Sequence, residues 1–177
     1  MILLYRIRIN SGEQWMNMIR GQFYRGMSNT SIPNRVKQVF FKILGNKIGH
    51  NVTIQNCVRF DSENIEISDG VVLNYGEQLI TGGGSAKITI GENTQIGPGT
   101  IICTISHEMG DSNKRAGKRV YKDIVIGKGV WIGANATIIS GVTIADGCVI
   151  GAGALVNKST EPNGLYVGVP AKRIRDL

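Results

Sequence analysis

Histidine is the side chain whose ordinary titration range brackets neutral pH, and this 177-residue chain has two, His50 and His107. A neutral imidazole can take the proton from a hydroxyl, which is too poor a nucleophile to react unaided. His107 is the better placed. It opens a polar stretch, 107–124, that carries Glu108, Asp111 and Asp123 with Lys114, Arg115, Lys118, Arg119 and Lys122. A long excursion from a rigid scaffold is often functional. His50 lies in regular sequence, where an exposed corner is the simpler expectation. Two histidines cannot furnish a three-histidine zinc site, and Cys57, Cys103 and Cys148 lack paired spacing, so no metal is expected. The glycines follow no phosphate-binding fingerprint.

The scaffold around His107 is written in a rhythm of six. Ile126, Ile132, Ile138, Ile144, Ile150 and Val156 are evenly spaced. That period fits neither a helix nor a lone strand; it is the mark of a parallel β-helix. The second position is usually small (Gly127, Gly133, Ala145, Gly151). So is the fifth (Val130, Ala136, Val142, Cys148, Ala154), with Thr160 the departure. The same phase runs back through Ile102, Ile96 and Ile90 to Leu79, Leu73, Ile67, Phe60, Ile54 and Ile48. One extra residue follows Phe60, and a Gly82-Gly83-Gly84-Ser85 insert precedes Ile90. Three hexads per turn give five turns of a triangular tube, with strands stacked about 4.8 Å apart. The fold class is an all-β solenoid. A regular prism offers almost no pocket of its own, so the chemistry must come from what interrupts the rhythm.

Length and charge divide the chain. One principal domain is expected over 46–164, with an N-terminal segment 1–45 and a basic tail 165–177. Residues 1–45 hold seven basic side chains against Glu13 alone, six of the seven net positive charges. The coil is nearly balanced, which argues against nucleic acid as a partner. Trp15, Phe23, Phe40, Phe41 and several aliphatics accompany the N-terminal charge. That mixture suits an amphipathic helical cap over the open first coil, one that could also rest on an anionic membrane face. Pro33 should separate two short helices. No apolar run is long enough to span a bilayer, and the cysteine usage points to the cytoplasm.

Three blocks carry a family resemblance. They are Thr104-Ile105-Ser106-His107 with its polar loop, Ile126-Gly127-Lys128-Gly129-Val130-Trp131-Ile132-Gly133, and Ile150-Gly151-Ala152-Gly153 through Lys158 to Gly168-Val169-Pro170-Ala171-Lys172. Over roughly 48–177 the chain resembles the hexapeptide-repeat O-acetyltransferases, the group of the galactoside, maltose, colanic-acid and O-antigen enzymes. The resemblance implies a left-handed coil with an inserted active-site loop, to be added to the N-terminal helical cap expected from the composition of 1–45. It implies acetyl coenzyme A as co-substrate and a homotrimer with active sites between subunits.

The resemblance also assigns roles. His107 matches the general base. Asn74 matches an asparagine that contacts acceptor and thioester, although stacking within the coil is the plainer reading of that residue. Glu108 is a candidate on the substrate side or as partner to His107, with Asp111 or a backbone carbonyl as alternatives. The amide of Ala134 matches the group facing the developing oxyanion. Trp131 would flank the pantetheine arm, and Ala152 would lend backbone contacts. Asn157, Lys158, Lys172 and Arg175, assisted by Arg173, would face the nucleotide phosphates. The sugar-gripping carboxylate of the galactoside enzymes falls near Gly82 here, so a simple free galactoside is not expected. A lipid-linked surface-glycan precursor fits the basic, aromatic N-terminus better. The rivals are a small non-glycan hydroxyl acceptor and a purely scaffolding coil. The latter would need neither a histidine-rooted loop nor this tail.

Overall fold

The computed structural model describes residues 21–24, 26 and 32–177. The N-terminal apolar and basic residues of 1–20 lie outside them. Three parallel sheets form the faces of a triangular prism. The first face stacks Lys47–Ile48, Ile65–Ile67, Ile88–Ile90, Ile124–Ile126 and Thr143–Ile144. The second stacks Thr53–Ile54, Val72–Leu73, Gln95–Ile96, Trp131–Ile132, Val149–Ile150 and Gly164–Val167. The third stacks Arg59–Phe60, Gln78–Ile80, Ile101–Cys103, Thr137–Ile139 and Leu155–Val156.

All fifteen aliphatic or aromatic hexad positions are buried, and they stand in register through five turns. Ile48, Ile67, Ile90, Ile126 and Ile144 form one file. Ile54, Leu73, Ile96, Ile132 and Ile150 form the second. Phe60, Leu79, Ile102, Ile138 and Val156 form the third. Corner I joins the first face to the second, corner II the second to the third, and corner III the third back to the first.

Small second-position residues let successive corners nest. A Cβ added to Gly133 would come within 2.5 Å of the Ala152 backbone nitrogen. Gly133→Ala is therefore expected to force two turns apart at a cost of about 1–3 kcal/mol, as overpacking does. Thermal unfolding of the variant should show a drop of several degrees.

The open lower edge is covered by helix α1 (Asn34–Ile43), which starts after Pro33. Phe41 stacks on Phe60 with ring centroids 4.2 Å apart. Asn34 and Gln38 each donate a side-chain amide to Val52 O, and Asn34 Oδ1 accepts the Ile54 N–H. These bonds satisfy backbone groups that have no coil beneath them. Lys37, one of the seven basic side chains of 1–45, is buried. Its ammonium donates to Asn56 Oδ1 at 2.6 Å and to Ile54 O at 3.4 Å. Burial pulls its pKa below the usual lysine value.

The polar excursion and the C-terminal tail both form strands. The segment expected as a polar loop is an antiparallel hairpin, Ile105–Met109 against Ala116–Tyr121, rising from corner III. A bulge places one extra residue in the second strand between Arg119 and Ala116. Gly117 sits there because a Cβ would meet Glu108 O at 2.8 Å. The C-terminal tail is likewise a strand, Lys172–Asp176, which turns back antiparallel on Gly164–Val167 and closes the second face.

Candidate active site

Corner II carries a file of groups suited to an extended ligand. Ala134 and Ala152 lie one above the other on successive turns, joined by Gly153 N–H to Ala134 O at 2.8 Å. The backbone N–H groups of Ala134 and Ala152 themselves meet no acceptor among the described residues. Trp131, on the adjoining second face, is 59% exposed. Lys172 and Arg175 extend the same face, exposed and without an ion pair among the described residues. Arg173 is committed elsewhere. It bonds Asp176, Tyr166 Oη and the carbonyls of Glu161, Pro162 and Asn163, pinning the last strand to the coil.

Asn74 is also on corner II, three turns below Ala152, which is about 15 Å along the prism axis. It is half-buried and its Nδ2 donates to Ile96 O at 2.8 Å. Stacking within the coil therefore holds for this side chain. A carbonyl can only accept, so the nitrogen end of the amide is fixed and Oδ1 is left to face away. The Asn74 N–H donates to Glu77 Oε1 at 2.5 Å and, more weakly, to Ile96 O at 3.4 Å. Glu77 was not singled out from the sequence. It is 1% exposed, and burial pushes its carboxyl up to about 9 against the single lowering effect of the Asn74 N–H.

His107 is on corner III. It lies on the exposed hairpin directly across from Arg119. No hydrogen bond reaches its imidazole among the described residues. Strand alternation sends Glu108 to the opposite face of the hairpin. Asp111 caps the hairpin tip, accepting from the N–H groups of Asn113 and Lys114. Asn157 and Lys158 are on corner III as well, exposed above the hairpin. At the hairpin's foot is a polar depression lined by Tyr24, Asp61, Ser62, Glu63, Asn64, Gly82 and Gly83. There the Gly82 N–H donates to Asp61 Oδ2 at 2.7 Å, so a carboxylate from the turn below stands where Gly82 offers none. His50 is an exposed corner residue whose N–H bonds Asp69, as expected. Cys148 is a buried filler.

The candidate residues thus fall on two edges of one prism. His107, Glu108, Asn157 and Lys158 share corner III. Asn74, Ala134, Ala152, Trp131, Lys172 and Arg175 belong to corner II and its adjoining face.

The bacterial transferase hexapeptide pattern of six repeats matches residues 123–158, the fourth and fifth turns. Galactoside O-acetyltransferase of Escherichia coli is 30% identical over 181 aligned residues, covering 96% of this chain and 88% of that one. The chain belongs to the hexapeptide-repeat acetyltransferases. The likeness also takes in most of 1–45, so its expected start near Ile48 was set too far along the chain. A hexapeptide-repeat acetyltransferase of Vibrio cholerae, solved with acetyl coenzyme A, superposes at a TM-score of 0.82 with 30% identity over 94% of this chain and 90% of that one. A maltose O-acetyltransferase of Clostridium difficile superposes at 0.80 with 28% identity over 92% and 88%. The protein is an acetyl-coenzyme-A-dependent acyltransferase built on the left-handed parallel β-helix. The free amides and unpaired cations of corner II fit such a co-substrate, and no group of metal-ligating residues occurs among the described residues.

Proposed function

We propose that this acetyltransferase moves an acetyl group from acetyl coenzyme A to a sugar hydroxyl of a surface-polysaccharide precursor, at sites formed between the copies of a homotrimer. The observation that carries the reading is the split of the candidate site over two corners of one prism. A hairpin projecting from corner III of one copy can reach corner II of a neighbour, whereas within one chain a whole face separates them. In this arrangement His107 removes the acceptor proton. Ala134 N–H faces the oxygen that gains charge, Asn74 orients the reacting groups, and Glu108 serves the acceptor side. Acetyl coenzyme A supplies the activated acyl group. Trp131, Ala152, Asn157, Lys158, Lys172 and Arg175 hold its arm and phosphates.

Mixed oligomers test the split. Chains with His107→Ala and chains with Asn74→Ala are each expected to be nearly inactive alone. Co-assembled in equal amounts, they should recover about a quarter of the wild-type rate, since one pairing of neighbours in four restores both halves. No recovery would place each site within one chain.

The cations make a second test. Lys172→Ala with Arg175→Ala should raise the KM for acetyl coenzyme A by about tenfold, with kcat little changed, and the effect should shrink in high salt. Steady-state kinetics at two ionic strengths would measure it.

For the acceptor, the galactoside and maltose enzymes among the relatives support a saccharide. Helix α1 presents Val36, Val39 and Ile43 outward between Arg35 and Lys42. That exposed strip supports docking at the cytoplasmic membrane face, where lipid-linked glycans are built. No helix among the described residues is long and apolar enough to cross a bilayer. Thiol release from acetyl coenzyme A should be faster with undecaprenyl-linked sugars than with free sugars, and should depend on residues 1–45. Equal rates on both, with no such dependence, would overturn the lipid-linked assignment.

A further inference from the structure

On corner II the fifth hexad position forms an internal file: Val58, Glu77, Thr100, Ala136 and Ala154, all buried. Thr100 satisfies its hydroxyl by donating to Gly97 O at 2.8 Å. Glu77 puts a carboxyl where every neighbour is small, and no cation faces it. Val58 is below it and Thr100 above. The Lys37 ammonium, at the first turn, is given to Asn56 and Ile54. Cys57 and Tyr75, the other titratable groups of this corner's lower turns, are exposed. Glu77 Oε2 is buried without a partner, and Oε1 makes one bond, to the Asn74 N–H. A hydrocarbon of the same shape would fill this position at no desolvation cost.

We propose that Glu77 is a positioning residue, clamping the four-residue turn that begins at Asn74 and so fixing how Asn74 presents its amide to the site. The clamp joins the N–H of one residue to the carboxyl three positions on, as a capping box does at a helix start. With the N–H held chiefly by Glu77 at 2.5 Å, Ile96 O lying farther off at 3.4 Å, and Nδ2 held by Ile96 O, the side-chain amide keeps its acceptor Oδ1 for a ligand, and the direction of that oxygen is set from both sides. Out of reach of water and cations, the carboxyl stays protonated and accepts this bond through its carbonyl oxygen. The inference rests on the reading of Asn74 as a site residue.

The test uses the full chain and the variants Glu77→Met, Glu77→Gln, Asn74→Ala and the pair Asn74→Ala/Glu77→Met. Acetyl transfer is measured as thiol release from acetyl coenzyme A with an undecaprenyl-linked sugar or maltose as acceptor, and with water alone as the hydrolytic baseline. Thermal unfolding and hydrogen exchange of the Asn74 amide are followed in parallel. Glu77→Met should lower kcat about tenfold or more and speed exchange at Asn74, while the unfolding temperature holds or rises. Glu77→Gln keeps a carbonyl acceptor and should stay within about threefold of wild type. The double variant should be no slower than Asn74→Ala, because the two residues act as one unit. Wild-type turnover and exchange in Glu77→Met would overturn the inference. So would a loss of turnover matched by a loss of stability in both Glu77 variants, which is the pattern of a purely structural residue. Wild-type turnover in Asn74→Ala would sink the reading of Asn74 and the inference with it; impaired Asn74→Ala beside intact Glu77→Met sinks the inference alone.

Discussion

His107→Ala should lower acetyl transfer by about 10²–10⁴-fold, the usual worth of a positioned general base. The unfolding temperature and the KM for acetyl coenzyme A should barely move. The two halves of this expectation come from the same geometry. His107 stands exposed on a hairpin outside the prism, its imidazole bonded to nothing among the described residues, so truncating it strands no partner and leaves the backbone pairing with Arg119 in place. The groups proposed to hold the coenzyme belong mostly to another corner and do not lean on the hairpin. A catalytic loss without a binding or folding loss is therefore the signature of a proton acceptor. Glu108→Ala should behave differently. From the opposite hairpin face it should raise the acceptor KM and spare kcat. Steady-state kinetics with calorimetric unfolding of both variants separates the cases. Full turnover in His107→Ala would remove the base from the mechanism.

The prism was legible because a six-residue period is the direct imprint of one side of a triangle. Each inward aliphatic, from Ile48 to Val156, could be assigned before any coordinate. The division of the site was latent in the same count. Hexads repeat faces in threes, so Asn74, which follows a second-face hexad, and His107, which follows a third-face hexad, must be on different corners. The hairpin was not legible. Its alternation is short, interrupted by the bulge at Gly117, and built from polar residues that bury little. The burial of Lys37 was not legible either. Charge suggests a surface, but an edge strand with unpaired carbonyls offers a buried ammonium its bonds. Glu77 had left a signal that went unused: it is the one acidic residue at a fifth position of the repeat, where the interior admits small or apolar groups.

That buried carboxyl has a consequence for the whole fold. Wild-type stability should fall as pH rises from 5 to 9, and Glu77→Gln should flatten the fall. Burial holds the Glu77 carboxyl up at about 9 against 4.5 for an exposed glutamate. A folded value above the unfolded one means the folded state keeps a proton that the unfolded chain releases. The stabilisation is complete below about pH 4.5 and is lost as pH rises toward 9. At about 1.4 kcal/mol per unit, the ceiling across that window is on the order of 6 kcal/mol, reduced by whatever local opening lets water reach the group. Lys37 works in the opposite sense, since burial lowers its pKa and rising pH then favours the folded state. It is present in both proteins and cancels in their difference. Glu66 is held below the usual carboxylate value by Lys47 and Lys87, so its contribution is lost only at more acidic pH. Glutamine keeps the shape and the carbonyl that accepts from Asn74 but cannot ionise. Urea unfolding of the two proteins at pH 5, 7 and 9 should therefore give a gap that widens with pH in favour of the glutamine variant, by several kcal/mol at the alkaline end. Parallel curves would mean the carboxyl is hydrated in the folded protein, and the interior placement of Glu77 on corner II would have to be abandoned.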